Sequence, residues 1–88
     1  MGENNLIDIL NASTLTLIRQ IVTNHTKVFD VDFRYDSQTL VTCGFDKRIK
    51  IFNASTGSFI NQTTTTDVAY SCEYGDNNWI AVSGFTFV

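Results

Sequence analysis

The sequence contains no proline, a single histidine and two cysteines. Cys43 and Cys72 allow at most one disulfide and have no CxxC-type spacing for a metal, so the usual staples of a small domain are absent. We therefore expect no metal and no other cofactor. Aromatic residues make up 12% and charged residues 17% of the chain, which is typical of a globular, strand-rich protein and not of a disordered one.

Basic residues and long apolar runs are also scarce. Six lysines and arginines against nine acids leave a net charge of -3, whereas direct binding of nucleic acid normally needs a basic patch. No apolar run approaches the roughly 18–20 residues of a membrane span. Residues 1–5 are polar and include an acid, unlike a secretory leader. We expect an intracellular protein, nuclear or cytoplasmic, with reduced thiols and neither nucleic acid nor membrane as a direct partner.

Two segments of the chain recur after about 40 residues. IDILNAST at 7–14 matches IKIFNAST at 49–56 in six of eight positions, 42 residues later, and LVTCGF at 40–45 resembles IAVSGF at 80–85. This period is typical of a four-stranded propeller blade.

Short β-prone segments alternate with turn-forming residues along the chain. Strands are predicted within residues 27–33, 39–44, 49–52, 57–66, 67–74 and 78–85. Glycine, aspartate and asparagine are concentrated between them, as in tight turns, and no helical period competes. The sequence therefore predicts an all-β chain.

The order of these features resembles the WD-repeat family. Asn24-His25 stands where the family has Gly-His, Asp46 lies in the tight turn after the second strand, and Phe52-Asn53 replaces Trp-Asp. The resemblance implies WD-repeat propeller blades, about two four-stranded antiparallel blades of an incomplete propeller. It divides the chain into the end of a first repeat (1–22, its outer strands), one complete repeat with the following outer strand (23–66), and the truncated start of a further repeat (67–88).

The resemblance also implies a hydrogen-bond network on one rim of the blade. The imidazole of His25 can bond the Asp46 carboxylate on one side and the Thr42 hydroxyl on the other, and a satisfied buried network of this kind fixes loop geometry. The family's tryptophan would extend it, but Phe52 has no N–H. In the last repeat, Thr86 stands at the position of Asp46.

Three sets of residues invite a chemical interpretation that we weigh against a structural one. His25 beside an acid and a hydroxyl suggests a hydrolase, but the hydroxyl belongs to threonine and no nucleophile elbow is present, so a structural network is favoured. Asp30 and Asp32 share a strand face as a carboxylate pair would, although a channel or rim position is favoured. Cys43 and Cys72 lie among apolar neighbours and are interpreted as buried thiols. No catalytic residue is predicted.

A partner-binding surface is predicted around the tight turn. Lys47, Arg48 and Lys50 form the densest positive cluster. Phe45, an aromatic residue in a turn, either anchors a partner or packs against the adjoining blade. Together with Lys27 from the preceding loop, Phe45, Lys47 and Arg48 are the candidates for binding other proteins or peptides; a solvated turn is the alternative.

Two blades cannot close a propeller, which needs about four to eight. Unpaired edge strands invite association, so self-association through open blade edges is a further expectation. Three explanations stay open: an excerpt of a longer protein, favoured by the mid-blade end at 84–88; pairing with another chain; or a stand-alone two-blade sandwich.

A narrower resemblance suggests a second function. DVAYSCEY at 67–74 and DNNWIAVSG at 76–84 resemble a V-W-S-C-C-W-like and an N-Y-I-Y-A-G-like strand in RING-finger-and-WD-repeat ubiquitin ligases, with one inserted residue and Tyr74 in place of the second tryptophan. Residues 47–53 resemble the D-N-T-I-K-L segment of the same family. This resemblance implies a propeller that recruits substrates in nuclear DNA repair, through replication protein A, with the ligase chemistry in a RING domain outside these 88 residues. The alternative is an interaction scaffold without a RING domain.

Overall fold

A computed structural model describes residues 5–76 and 79–84 of the chain. They form eight strands: β1 (Leu6–Leu10), β2 (Leu17–Val22), β3 (Val28–Phe33), β4 (Thr39–Gly44), β5 (Arg48–Asn53), β6 (Phe59–Thr64), β7 (Ala69–Tyr74) and β8 (Ile80–Gly84). Every strand pairing is antiparallel, which confirms the predicted all-β class. Within the described ranges no helix is long and apolar enough to cross a membrane.

The strands form three sheets. β3, β4, β5 and β6 make one four-stranded sheet in sequential order, which we call the middle blade. β1 pairs with β2 and β7 with β8 in two-stranded sheets, the first and second half-blades. One blade and two half-blades agree with the prediction of about two blades of an incomplete propeller.

The first half-blade repeats the second half of the middle blade in register. Leu6 pairs with Val22 in β1–β2, and Arg48 pairs with Thr64 in β5–β6, 42 residues later at both positions. Each strand pair has its β-bulge between the fourth and fifth residues of the leading strand. The sequence repeat is therefore also a repeat of hydrogen-bond register.

The second half-blade repeats β3–β4 in the same way. Val28 pairs with Gly44, and Ala69 pairs with Gly84, with a bulge immediately after each pair. A Cβ at either glycine would collide with a backbone carbonyl oxygen at the start of the paired strand. This close approach requires glycine at both positions.

Two apolar clusters lie on opposite faces of the middle blade, because successive strand residues point to opposite faces. Leu40 and Phe52 pack with Ile7 and Ile21 of the first half-blade. The other face packs against the second half-blade through Val41, Cys43, Ile49, Ala69 and Cys72.

The repeated Asn-Ala-Ser-Thr segments form the same turn. The side-chain oxygen of Asn11 accepts hydrogen bonds from two following backbone amides at 2.8 and 3.1 Å, and that of Asn53 does so at 2.8 and 3.0 Å. Each turn ends in the left-handed region, at Leu15 (φ 61°) and at Gly57 (φ 80°).

Candidate functional site

His25, Thr42 and Asp46 form a connected network at one end of the middle blade. His25 Nδ1 lies 2.9 Å from Asp46 Oδ1, and Nε2 lies 2.7 Å from Thr42 Oγ1. The loop before β3, the strand β4 and the β4–β5 turn each supply one side chain. The last-repeat residue Thr86 lies outside the described residues.

Burial of His25 favours the neutral imidazole. Burial lowers the pKa of His25 below its ordinary 6.5, and this outweighs the opposing hydrogen bond to Asp46. In the neutral ring, Nδ1–H donates to Asp46 and the Thr42 hydroxyl donates to Nε2. His25 is 1% and Thr42 0% exposed, so a substrate carbonyl cannot reach the hydroxyl. This geometry supports a structural network over a hydrolase.

A buried lysine ties the same loop to β5. Lys50 is buried, and its Nζ donates to the carbonyl oxygen of Thr23 at 2.8 Å. The Thr23 hydroxyl in turn accepts the backbone amide of His25 at 3.2 Å. Lys50 is therefore not available to a partner as a solvated cation, although it lines the same cleft as Arg48. Residues on both faces of β5 are buried, so the alternation of residues 49–52 does not predict this contact.

An aromatic patch spans the rim between the middle blade and the second half-blade. Phe29 meets Phe45 edge to face at 6.2 Å and stacks on Tyr70 at 4.8 Å between ring centroids. Lys27 Nζ lies 5.7 Å from the Phe29 ring centroid. We call these four residues the rim aromatic patch. The sequence indicated Lys27 and Phe45; it missed Phe29 and Tyr70, because the stacking joins two different sheets.

The other two partner-binding candidates, Lys47 and Arg48, make different contacts. Lys47 adopts φ 65°, and its carbonyl oxygen accepts the amide of Thr65 at 2.8 Å. Arg48 lines a cleft together with Val22 and Asn24, on the side of the first half-blade. The structure thus brings Phe45 and Lys27 together around Phe29 and places Arg48 at a separate cleft.

Asp30 and Asp32 join the innermost strands of neighbouring sheets. One oxygen of Asp30 accepts the backbone amide of Cys72 at 3.0 Å and the hydroxyl of Ser71 at 3.2 Å. Asp32 accepts the backbone amide of Tyr74 at 2.8 Å. Both carboxylates therefore hold β7 against β3, which gives them a structural task in place of acid–base chemistry.

Cys43 and Cys72 are free thiols in the cluster between the middle blade and the second half-blade. A hydrogen bond with Cys43, together with burial, raises the pKa of Cys72, so this thiol stays protonated. Across residues 5–76 and 79–84, no group of three or more His, Cys, Asp or Glu side chains could hold a metal ion.

The antiparallel sheets have up to four sequential strands, pack face to face and recur about every 40 residues. These features define the blades of a β-propeller. Residues 16–53 match the family described as WD domain, G-beta repeat. That range runs through β2–β5 and includes His25, Thr42 and Asp46. These residues are a WD40 repeat, and the chain has the fold of WD40 propeller blades.

Solved structures share this fold. The β-propeller domain of Cps50 (Swd1) from Myceliophteria thermophila is 12% identical, with a TM-score of 0.79 over 93% of this chain and 27% of that one. The WD40 propeller domain of Doa1 is 22% identical, with a TM-score of 0.79 over 89% of this chain and 26% of that one. Hydrazine synthase from Kuenenia stuttgartiensis is 9% identical, with a TM-score of 0.84 over 94% and 24%.

The chain therefore spans about a quarter of the length of these three structures. No curated protein matches its sequence. The narrower resemblance to RING-finger-and-WD-repeat ligases stays a prediction.

Proposed function

We propose that the chain is a protein-interaction scaffold of the nucleus or cytoplasm, part of a WD40 propeller, and that its rim aromatic patch binds partner peptides. This proposal rests on the exposure of two aromatic rings, those of Phe45 and Tyr70, which both contact the ring of Phe29. Phe45 is 54% and Tyr70 46% exposed, and both contact Phe29, which is half-buried between them.

The patch has the features of an interface anchor. Aromatic side chains supply much of the energy at protein interfaces because they bury a large area with few rotatable bonds. The contacts with Phe29 hold Phe45 and Tyr70 in place before binding, which lowers the ordering cost of association. Lys27 adds a positive charge at the edge. We infer a peptide that offers an apolar or aromatic side chain next to an acidic one.

A phage-displayed random peptide library selected on the immobilised chain tests this proposal. We expect enriched peptides with an aromatic or aliphatic residue beside Asp or Glu. Their affinity should fall about 30-fold in Phe45→Ala, as for an interface anchor worth about 2 kcal/mol. Tyr35→Ala is the matched control, because Tyr35 is 75% exposed in the turn at the other end of β3 and β4.

Peptides whose binding is equal in wild type and Phe45→Ala would refute the rim aromatic patch as the binding surface. Loss of binding in Tyr35→Ala would do the same. A smaller loss in Lys27→Ala, reduced further by salt, would support the acidic side chain of the peptide.

Substrate recognition within a RING-type ubiquitin ligase is the alternative function, and it rests on the resemblance of residues 67–84 to that family. A longer transcript with an upstream CxxC…CxH…CxxC zinc pattern would decide for it. A full-length chain of WD repeats alone would exclude it.

A further inference from the structure

The two half-blades are complementary halves of one blade. β7 and β8 correspond in register to β3 and β4, and β1 and β2 correspond to β5 and β6. We propose that copies of this 88-residue chain assemble head to tail, with β8 of one copy pairing with β1 of the next to complete a four-stranded blade.

The same positions are buried in the middle blade and exposed in the half-blades. Phe52 is 2% exposed, whereas its counterpart Leu10 is 46% exposed. Thr42 is 0% exposed, whereas its counterpart Val82 is 40% exposed. In the middle blade, Phe52 is covered by Ile7 and Ile21 of the first half-blade, and Thr42 contacts the His25 ring. Among the described residues of one copy, β8 and β1 each pair with one strand only, and an open strand edge is a template for another strand.

The middle blade predicts the register of the new pairing. Leu40 pairs with Phe52, and Thr42 pairs with Lys50, across β4 and β5. When β8 of one copy and β1 of the next pair in this register, Ile80 lies opposite Leu10. Two positions along, Val82 lies opposite Asp8.

An apolar cleft beside β8 fits the incoming strand. It is lined on its apolar side by Ile49, Ile51, Ile80 and Val82. In the middle blade, Phe52 packs with Ile7 of the preceding sheet. Leu10 corresponds to Phe52, and Ile49 corresponds to Ile7. At the junction, Leu10 of a second copy therefore packs against Ile49, which lines the cleft. The second copy therefore supplies an apolar side chain where one copy leaves space.

The assembly closes by symmetry. Each copy contributes two blades in total, and a repeated head-to-tail contact generates a ring when its rotation closes, as the rotation between propeller blades does. Since propellers have about four to eight blades, the ring holds two, three or four copies.

Site-specific cross-linking tests the junction directly. Leu10→Cys and Ile80→Cys are prepared separately, mixed, dissociated in denaturant, refolded together and oxidised with copper phenanthroline. We expect a disulfide-linked pair of chains from the mixture and none from either variant alone, because directly opposed strand residues have a separation that a disulfide can span. The native thiols Cys43 and Cys72 are buried and do not compete.

Sedimentation equilibrium of the wild-type chain gives the copy number. A discrete species of two, three or four times 9.9 kDa is expected. Leu10→Lys should weaken the assembly at least about tenfold, because a charge would enter the cleft. Leu15→Lys, in the exposed turn after β1, should not.

A monomeric wild-type chain would overturn the proposal and assign the open edges to other segments or partners. Cross-links that form in either single variant alone would overturn the head-to-tail arrangement. If Leu10→Lys loses its β-sheet circular dichroism, the cross-linked mixture still decides.

Discussion

The carboxylate of Asp32 accepts the backbone amide proton of Tyr74 at 2.8 Å, across the boundary between two sheets. Asp30 does the same for Cys72 at 3.0 Å. The innermost strand of a blade pairs with a strand on one edge only, as β7 pairs with β8 here. Here side chains from the neighbouring blade accept the amide protons of the other edge, and thereby hold the two sheets in one relative position.

Replacing Asp30 with alanine should destabilise the chain by about 1–3 kcal/mol, because the partly buried amide of Cys72 and the hydroxyl of Ser71 lose their acceptor. The free energy of unfolding in urea is the measurement. Asp8→Ala is the control, since Asp8 bonds only the exposed Gln20 side chain among the bonds described. Equal losses in both variants would contradict a cross-sheet role for Asp30.

The stability of the chain should fall as the pH drops through about 6.5. The pKa of His25 is lowered in the folded chain, so the unfolded chain binds the proton first. Protonation therefore favours unfolding until the pH reaches the lowered pKa, below which the slope from this group vanishes. Urea unfolding between about pH 7.5 and 5.5 measures the slope.

His25→Gln should remove this slope even if the variant is less stable at every pH. His25 is the sole histidine of the sequence, so one imidazole signal in an NMR titration reports its pKa directly. A pKa at or above 6.5 in the folded chain would contradict the neutral network.

Gly44→Ala should be strongly destabilising, by about 1–3 kcal/mol or more, as for overpacking of a filled core. The new methyl group would meet the carbonyl oxygen of Lys27 and lie 2.9 Å from the His25 ring. Gly75→Ala is the control, because its nearest neighbours would be 3.9 Å away. Thermal unfolding of both variants checks the difference, and a neutral Gly44→Ala would show that the loop before β3 can shift.

Leu15 and Gly57 should respond oppositely to exchange, since both occupy the left-handed region. Gly57→Ala should lower the free energy of unfolding by about 1–2 kcal/mol, because alanine is strained in the left-handed region. A steric clash does not contribute, since the new Cβ would have ordinary contacts at 3.5 Å. Leu15→Gly should gain about 0.5–1 kcal/mol, after the larger entropy of the unfolded glycine is subtracted. A loss in Leu15→Gly would mean that the exposed Leu15 side chain makes a stabilising contact.

The strands were predictable because their signals are local. The alternation and β-branched content of residues 39–44 predict a strand with the bounds that β4 has. The His25, Thr42 and Asp46 positions were also predictable, but through a family resemblance and not through spacing. The burial of Lys50 was not predictable, because alternation only places it on the face opposite Ile49 and Ile51, and its contact with the Thr23 carbonyl depends on tertiary packing.

Sequence alone determined the repeat of 42 residues, the all-β class, and the strand and turn order, since each depends on neighbouring residues and on a period of two. Tertiary structure alone decided which side chains meet across sheets: Asp32 with the Tyr74 amide, Phe29 with Tyr70, and Lys50 with the Thr23 carbonyl. The physical reason is that these contacts depend on how one sheet packs against the next. That packing joins residues far apart in the chain, and no local pattern specifies it.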